Sequence, residues 1–581
     1  MTKTVLAAAA LLSLAPAVIA ADAPDTSTWI QFTSFAYSGK TATAPGADEY
    51  LNPIVAGFYP DPSFCRVGDD YYLVNSAFNY FPSIPIWHSK DLIHWTQIGN
   101  VIDRPSQFGM RGGPVQNGTY APCIRYHDGT YYVVCTFVGG IGNFYVTAKD
   151  PKGPWSEPVS LRSVGGMDPS FFFDDDGKCY IVNCDDPPQS LYSGHRAIKI
   201  QEVDLVQQRT VGEKTVLVNG GTDISKHPVW CEGPHLYKFT NTYYLMCAQG
   251  GTSTAHSEVI FKSDKLLGPY VPWEKNPILT AMDLSDNRPN PVTCTGHGDL
   301  VQTQTGDWYA VFLGCQPYQG GFYNTGRQTF LLPVKWEDGW PVILPPSTPV
   351  PLTVKKPNLP ADKAPAVPTT GNISFTDNFD SDTLAFRWIG LRAPASKWYA
   401  TSSAGKGLFL EPRPDLLSGQ GNPTFLAVRQ QNDDFSCAVT LKAQPNTANC
   451  IAGLVAYQNE GHYYAVSVTI DSGHLTEIAL EQPATGGGRG GRRGGAPAQP
   501  NLTGLQKLPD NTGSIDLKVE GAGTRTRFFY KVGNGEFTQF GQDLQSSFLS
   551  TDTAGGFQGV TLGMFARSSA PASPAAPRSN Q

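Results

Sequence analysis

Five segments of this chain repeat one pattern: a residue that opens an apolar strand, a tight polar turn, and a second strand carrying an aromatic residue. They start at Asp61, Ala121, Asp168, Glu232 and Gly298, and their second strands carry Tyr72, Tyr132, Tyr180, Tyr244 and Tyr309. The turns are Gly68-Asp69-Asp70, Asp128-Gly129, Asp174-Asp175-Asp176-Gly177, Thr240-Asn241-Thr242 and Thr305-Gly306-Asp307. Gly, Asn and Asp tolerate the positive φ that a twisted hairpin demands, so each copy reads as a β-hairpin. Further aromatic and turn signals follow in several copies, at His94-Trp95, Gly153-Pro154-Trp155 and Gly268-Pro269-Tyr270. The copies recur at roughly 50–65 residues, room for four strands and their loops, which is the period of a β-propeller. Five matching hairpins argue against an unrelated all-β sandwich with coincidental turns.

In a propeller the inner strands begin near the central channel, so the residues that open them converge. Three of those residues are acids: Asp61 in Tyr59-Pro60-Asp61-Pro62-Ser63, Asp168 in Gly166-Met167-Asp168-Pro169-Ser170, and Glu232 in Trp230-Cys231-Glu232-Gly233-Pro234. The reading sets them at the same place in their repeats. Blades two and five offer Tyr120-Ala121-Pro122 and His297-Gly298 instead. A single Asp-Pro does no more than begin a turn. Three acids facing one channel repel, which raises the pKa of at least one of them. An acid catalyst at neutral pH needs such a shift, and paired carboxyl groups are the equipment of glycosidic bond hydrolysis.

A chain of 581 residues exceeds what one core supports, so at least two domains are expected. Its 60 glycines, 47 prolines and 11% aromatic content favour short strands and turns over long helices. The net charge of −7 gives no general attraction to nucleic acid or an anionic membrane. Residues 1–20, with Lys3, an apolar run from Val5 to Leu14 and Val18-Ile19-Ala20, read as a secretory signal, hence a secreted or periplasmic protein. No later stretch reaches the roughly 18 apolar residues of a membrane span. The 11 cysteines show no C-x-x-C spacing and read as small buried hydrophobes. The expected organisation is a propeller over 48–348, an extended proline-stiffened linker over 349–372, and a β-sandwich over 373–567. A disordered tail over 568–581 follows. The run Gly486-Gly487-Gly488-Arg489-Gly490-Gly491-Arg492-Arg493 inside the sandwich reads as a loop and not as a nucleic-acid arm.

The motifs taken together resemble glycoside hydrolase family 43, in its two-domain β-xylosidase and α-L-arabinofuranosidase branch. The resemblance rests on Asn52-Pro53-Ile54 leading into Gly57-Phe58-Tyr59-Pro60-Asp61-Pro62-Ser63, on Ile86-Trp87-His88-Ser89-Lys90-Asp91-Leu92 and on Glu232-Gly233-Pro234-His235-Leu236-Tyr237. Gly296-His297-Gly298-Asp299 and Gly326-Arg327-Gln328-Thr329-Phe330 extend it. It implies an all-β fold, a five-bladed propeller followed by a concanavalin-like sandwich that helps close the pocket, and an inverting mechanism. By the same resemblance Asp61 is the general base, Glu232 the general acid, and Asp168 orients the acid and keeps its pKa high. The two acting carboxyls are then expected about 6.5–9.5 Å apart, to leave room for a water. His297 and Arg327 match sugar-contacting residues, and Phe78 and Tyr120 match pocket-wall aromatics, although many relatives carry tryptophan at the position of Tyr120. Trp87, inside a matched motif, reads equally as core.

The activity implied is exo-acting release of terminal xylose from xylooligosaccharides, with α-L-arabinofuranosidase action on arabinoxylan as the alternative. A fructan-hydrolysing enzyme is disfavoured because Pro60 and Ser63 replace the Asn-Asp-Pro-Asn context of that group. A non-catalytic carbohydrate-binding propeller is disfavoured because all three acids are present. No cofactor is expected, although some relatives hold calcium near the equivalent of His297. The sequence does not reveal the oligomeric state.

Overall fold

The computed structural model describes residues 24–109, 112–285, 287–402, 407–484 and 498–569. The expected signal segment, the arginine–glycine run at 486–493 and residues 570–581 of the expected tail lie outside them. Among the described residues the fold is almost entirely β, with one four-residue α-helix at Thr551–Ala554.

Five antiparallel sheets form the propeller blades, four of them four-stranded and the fourth blade carrying a fifth short strand, Leu279–Thr280. Their inner strands are Ser63–Val67, Gly118–His127, Met167–Phe173, Glu232–Phe239 and Thr293–Gln302. Each pairs with the next strand across the hairpin read from the sequence, and the inner strands touch one another in a closed ring. The turns use positive φ at Gly68, Gly129, Gly177, Asn241 and Gly306. The faces between blades are filled by apolar residues such as Val74, Val133, Val182, Leu245 and Phe312. The ring is closed by the segment before blade one: Asn52 exchanges two hydrogen bonds with the backbone of Leu331 in blade five.

The second domain is a sandwich of two eight-stranded sheets. Phe35, Trp388, Leu408, Leu454 and Met564 are among the apolar residues packed between them. Two of its strands come from elsewhere. Ile30–Lys40, which the sequence reading left unassigned, lies in the middle of one sheet, paired with Ile373–Asp377, Gly407–Leu410 and Asp434–Lys442. Tyr80–Phe81 leaves blade one to edge the other sheet, beside Ile389–Leu391. Within the expected linker, Thr353–Lys355 pairs with Glu49–Leu51. Farther on, Asp362 bonds Lys90 and Asp91, and Thr369 bonds Ile54 and Ala56, so the segment is extended but docked along the propeller.

The two domains grip each other through polar and aromatic contacts. Arg392, with no exposed side-chain surface, pairs with Glu460 and donates to the carbonyl of Gly113 at 2.7 Å. Glu460 also accepts the backbone N–H of Val115. The Arg429 guanidinium lies against the Phe58 and Tyr59 rings, at 4.6 and 4.3 Å. Gly326 (φ 70°) approaches the sandwich so closely that a Cβ there would lie 2.8 Å from the Gly559 backbone.

Candidate active site

Four of the five inner strands reach the axis through the same irregularity. In blades two to five the pairing slips between Tyr120 and Cys123, Met167 and Ser170, Glu232 and His235, and again between Gly296 and Asp299. A residue inside each slip is left-handed: Ala121 (φ 43°), Asp168 (φ 54°), Gly233 (φ 57°) and His297 (φ 50°). Asp61 (φ 50°) does the same before blade one. Bulges of this kind re-aim side chains, and here they turn one residue per blade toward the axis. Each of the five stands two residues before a regular ladder position: Ser63, Cys123, Ser170, His235 and Asp299.

This register corrects one expectation. Glu232 is not level with Asp61 and Asp168 but one residue earlier, and Gly233 holds the ring position. A Cβ at Gly233 would lie 2.9 Å from the His297 ring. Glycine leaves that space to the histidine, and the carboxyl of blade four enters from the preceding residue.

The three acids are nearly buried, with Asp61 at 5%, Asp168 at 6% and Glu232 at 7% exposure. Their surroundings differ. Asp61 Oδ1 accepts from Arg327 Nη1 at 3.1 Å and lies 3.8 Å from His297 Nδ1. Asp61 Oδ2 accepts the Ser76 hydroxyl at 2.5 Å, and Ser76 in turn accepts the Ala121 N–H at 2.6 Å. Burial pushes the Asp61 carboxyl up, but Arg327, then His297 and Ser76, outweigh it and hold it below the ordinary carboxylate range. Asp168 accepts the Gly233 N–H at 3.3 Å, and burial raises it. Glu232 is raised well above the ordinary range, by burial first and then by the negative charges of Asp168 and Asp61. The two carboxyls are thus driven in opposite directions within one buried site.

The other expected residues converge on the same place. His297 is buried and tied to the acids as described. Arg327 is also buried, engaged with Asp61 rather than with a surface partner. Tyr120, partly exposed, meets the fully buried Phe78 edge-to-face at 5.3 Å. Phe78 supports that wall from behind. Trp87 lies in the core with its indole N–H on Asn75.

Several site residues escaped the sequence reading. Phe557, from the sandwich, lies 5.3 Å from the Arg327 guanidinium and offers its carbonyl to that side chain. Its ring also meets Phe78 and Tyr120, so the accessory domain completes the wall. Glu258 accepts the backbone N–H of Gly298 at 3.0 Å and that of His297, bracing the turn that aims the histidine. His256 is pushed down to about 4 by burial and is neutral; its Nδ1–H donates to the Cys294 carbonyl at 3.0 Å. Below the acids, Asp299 gathers Ser63, Arg125, Tyr237 and two backbone N–H groups. Burial pushes its carboxyl up, but Arg125, His235 and the Ser63 hydroxyl together outweigh this and hold it down to about 2. Only Asp299 carried a signal, as the residue two positions after His297 in a matched motif.

Calcium takes six to eight oxygen ligands. The carboxylate beside His297 is Asp61, whose oxygens already serve Arg327 and Ser76. Among the described residues no cluster of three or more His, Cys, Asp or Glu is placed to hold a metal. The residues do not fit a calcium site built on protein ligands. No helix among the described residues is long and apolar enough to cross a membrane.

With this geometry in view, comparisons with known proteins are consistent along the chain. Residues 50–341 match the model of "Glycosyl hydrolases family 43", and residues 376–576 match "Beta xylosidase C-terminal Concanavalin A-like domain". A xylosidase/arabinosidase of Butyrivibrio fibrisolvens is 37% identical over 520 residues, 89% of this chain and 95% of that protein. A non-reducing end α-L-arabinofuranosidase of Bacteroides ovatus is 34% identical over 525 residues, 89% of this chain and 91% of that protein. Among solved structures, a GH43_12 protein from a capybara gut metagenome superposes with a TM-score of 0.83 at 38% identity, covering 93% of this chain and all of that one.

Proposed function

The chain belongs to glycosyl hydrolase family 43 and is a glycosidase, and from that premise we propose that it is an inverting, exo-acting β-xylosidase releasing terminal xylose from β-1,4-xylooligosaccharides. The observation that carries the mechanism is that two carboxyls in one buried site are driven apart, Asp61 held low beside Arg327 and Glu232 pushed high by burial and by Asp168. Pairs of acids whose environments drive their pKa values apart mark acid and base roles.

In this reading Asp61 accepts a proton from the attacking water, and Arg327 keeps it ionised at the pH where it must act. Glu232 gives its proton to the departing glycosidic oxygen. Asp168 holds the chain beside Glu232 through the Gly233 N–H, and its charge favours the protonated acid. Tyr120 and Phe557 supply aromatic surface for the sugar, and the closing of that wall by the sandwich favours chain ends over internal bonds.

α-L-Arabinofuranosidase activity is the second reading. It is supported by the arabinosidase and arabinofuranosidase names of the two relatives above, and by the similar hydroxyl patterns that xylopyranose and arabinofuranose present to one pocket. Real-time proton NMR on xylobiose and on arabinoxylan oligosaccharides tests both. Release of α-xylose from xylobiose supports inversion and the xylosidase reading, and β-arabinose alone shifts the substrate. Retained configuration overturns the role given to Asp61.

A further inference from the structure

Blade five breaks its inner ladder twice, between Thr293 and Gly296 and between Gly296 and Asp299, where blades two to four break theirs once. The double break holds two left-handed residues, Cys294 (φ 58°) and His297 (φ 50°). It also takes backbone groups of 294–298 out of the regular pairing with Trp308–Cys315, and buried backbone groups need partners. Two side chains of blade four supply them. His256 and Glu258 stand two residues apart, at the start of Ser257–Ser263, and so share a face. Neither has exposed surface. His256 donates to the Cys294 carbonyl at 3.0 Å. Glu258 Oε2 accepts the Gly298 N–H at 3.0 Å, and the carboxyl also accepts the N–H of His297. An apolar side chain in place of Glu258 would leave both N–H groups buried and unbonded.

What this turn aims is the imidazole beside the proposed base. His297 Nδ1 lies 3.8 Å from Asp61 Oδ1, longer than a hydrogen bond, so that contact does not fix the ring by itself. The ring rests against Gly233 on one side, and the turn carries it from below. After burial and Arg327, His297 has the largest effect on the Asp61 carboxyl, and it lowers it. His256 acts on Asp61 in the same direction, and the charges of Asp168 and Glu232 complete the set around it. His235 also stands close enough to His297 to interact with it. Burial drives the Glu258 carboxyl well above the ordinary range, against the backbone N–H groups, with Cys231 and Asp299 as its other neighbours. A carboxyl pushed toward its neutral form can bind these donors without adding a fourth negative charge to the three acids.

We propose that Glu258 is a positioning residue for the hydrolysis: through the N–H groups of His297 and Gly298 it holds the left-handed turn, and so keeps the imidazole against Asp61. The inference rests on the reading of Asp61 as the base. The test is the pH profile of kcat/KM, on whichever of an aryl xyloside and an aryl arabinofuranoside the enzyme turns over. Glu258→Leu keeps the bulk and removes the acceptor. It should lower kcat/KM by about 10- to 100-fold, the scale of a misplaced site group. It should also move the acid limb toward neutral by about half a pH unit to one, because a base with less positive charge beside it ionises at higher pH. Glu258→Gln keeps a carbonyl oxygen for the same donors and should restore the parent's acid limb. In a His297→Ala background, whose limb is already raised, Glu258→Leu should move it no further. A role in folding alone would lower the unfolding midpoint and the active fraction but leave the limb in place. Should Glu258→Leu not fold, Glu258→Asp, which withdraws the carboxyl by one methylene, should move the limb the same way. An unmoved limb in the folded variant overturns the role, as does a glutamine variant displaced as far as the leucine one, or a further shift in the His297→Ala background. Failure of the base reading looks different: the limb then stays in place in Arg327→Met as well, whereas a limb that moves with Arg327→Met and not with the Glu258 variant removes Glu258 alone.

Discussion

Replacing Arg327 by methionine isolates what holds the proposed base ionised. Methionine keeps length and an apolar contact to Phe557 but removes the charge 3.1 Å from Asp61. For unit charges at that distance and an effective dielectric of about 20, the Coulomb energy is about 5 kcal/mol. At about 1.4 kcal/mol per pH unit this sets a ceiling near four units. His297, 3.8 Å away, remains and takes over part of the role. Carboxylates beside an arginine are typically lowered by about one to three units, and a rise of that size is expected on removing it. The sign follows from the role. The base must be ionised, so activity falls as pH drops through its pKa. A higher pKa moves the acid limb of the kcat/KM profile toward neutral pH, and activity near pH 5 falls more than activity near pH 7. The profile should be measured on an aryl xyloside, since kcat/KM reports the free enzyme. In its proposed role Arg327 also contacts the sugar, so the whole profile should drop; the position of the acid limb is independent of that drop. An unmoved acid limb beneath a uniform loss would refute the claim that this ion pair sets the ionisation of Asp61.

Three further outcomes are expected. Glu232→Ala should lower kcat on xylobiose by about 10²–10⁴, yet cost far less on an aryl xyloside whose leaving group needs no proton; equal losses on both would count against the acid role. Asp168→Asn removes the negative charge that, after burial, most raises Glu232, so the basic limb of the profile should move to lower pH; a shift to higher pH would contradict this. Glu460→Ala leaves the buried Arg392 charge unpaired and should cost about 3–5 kcal/mol, read by denaturant unfolding, with Arg392→Met in the same background recovering much of the loss.

What was legible in the sequence follows the range of the interactions. The hairpins, their turns and the strand-opening acids are local, and the five-bladed architecture with its sandwich followed from them. Asp61, Asp168, Glu232, His297 and Arg327 were found because each belongs to a repeat or a matched motif. The offset of Glu232 was hidden because acids were aligned with acids, whereas the backbone aligns left-handed residues and gives that place to Gly233. Ser76, His256 and Glu258 lie beyond the strand openings and carry no pattern of their own. Phe557 reaches Arg327 across 230 positions of sequence. Ile30–Lys40 finds its partners even farther away, with Tyr37 bonded to Asn432 over 395 positions.

That first strand changes what the two domains are to each other. Because Ile30–Lys40 lies inside a sandwich sheet, the propeller is an insertion within the sandwich and not a module fused to its end. On the ribosome the strand emerges early and waits for Asp434–Lys442 until the whole propeller has been made. Propeller hairpins close over short distances and can form in the interval, so a folded body brings the sandwich's separated pieces together. A cut in the 349–372 segment therefore releases two damaged halves. One carries an unpaired strand edge open to aggregation, and the other is a sheet with a gap at its centre. The natural boundary for dividing or swapping these domains has two crossings, one on each side of the propeller.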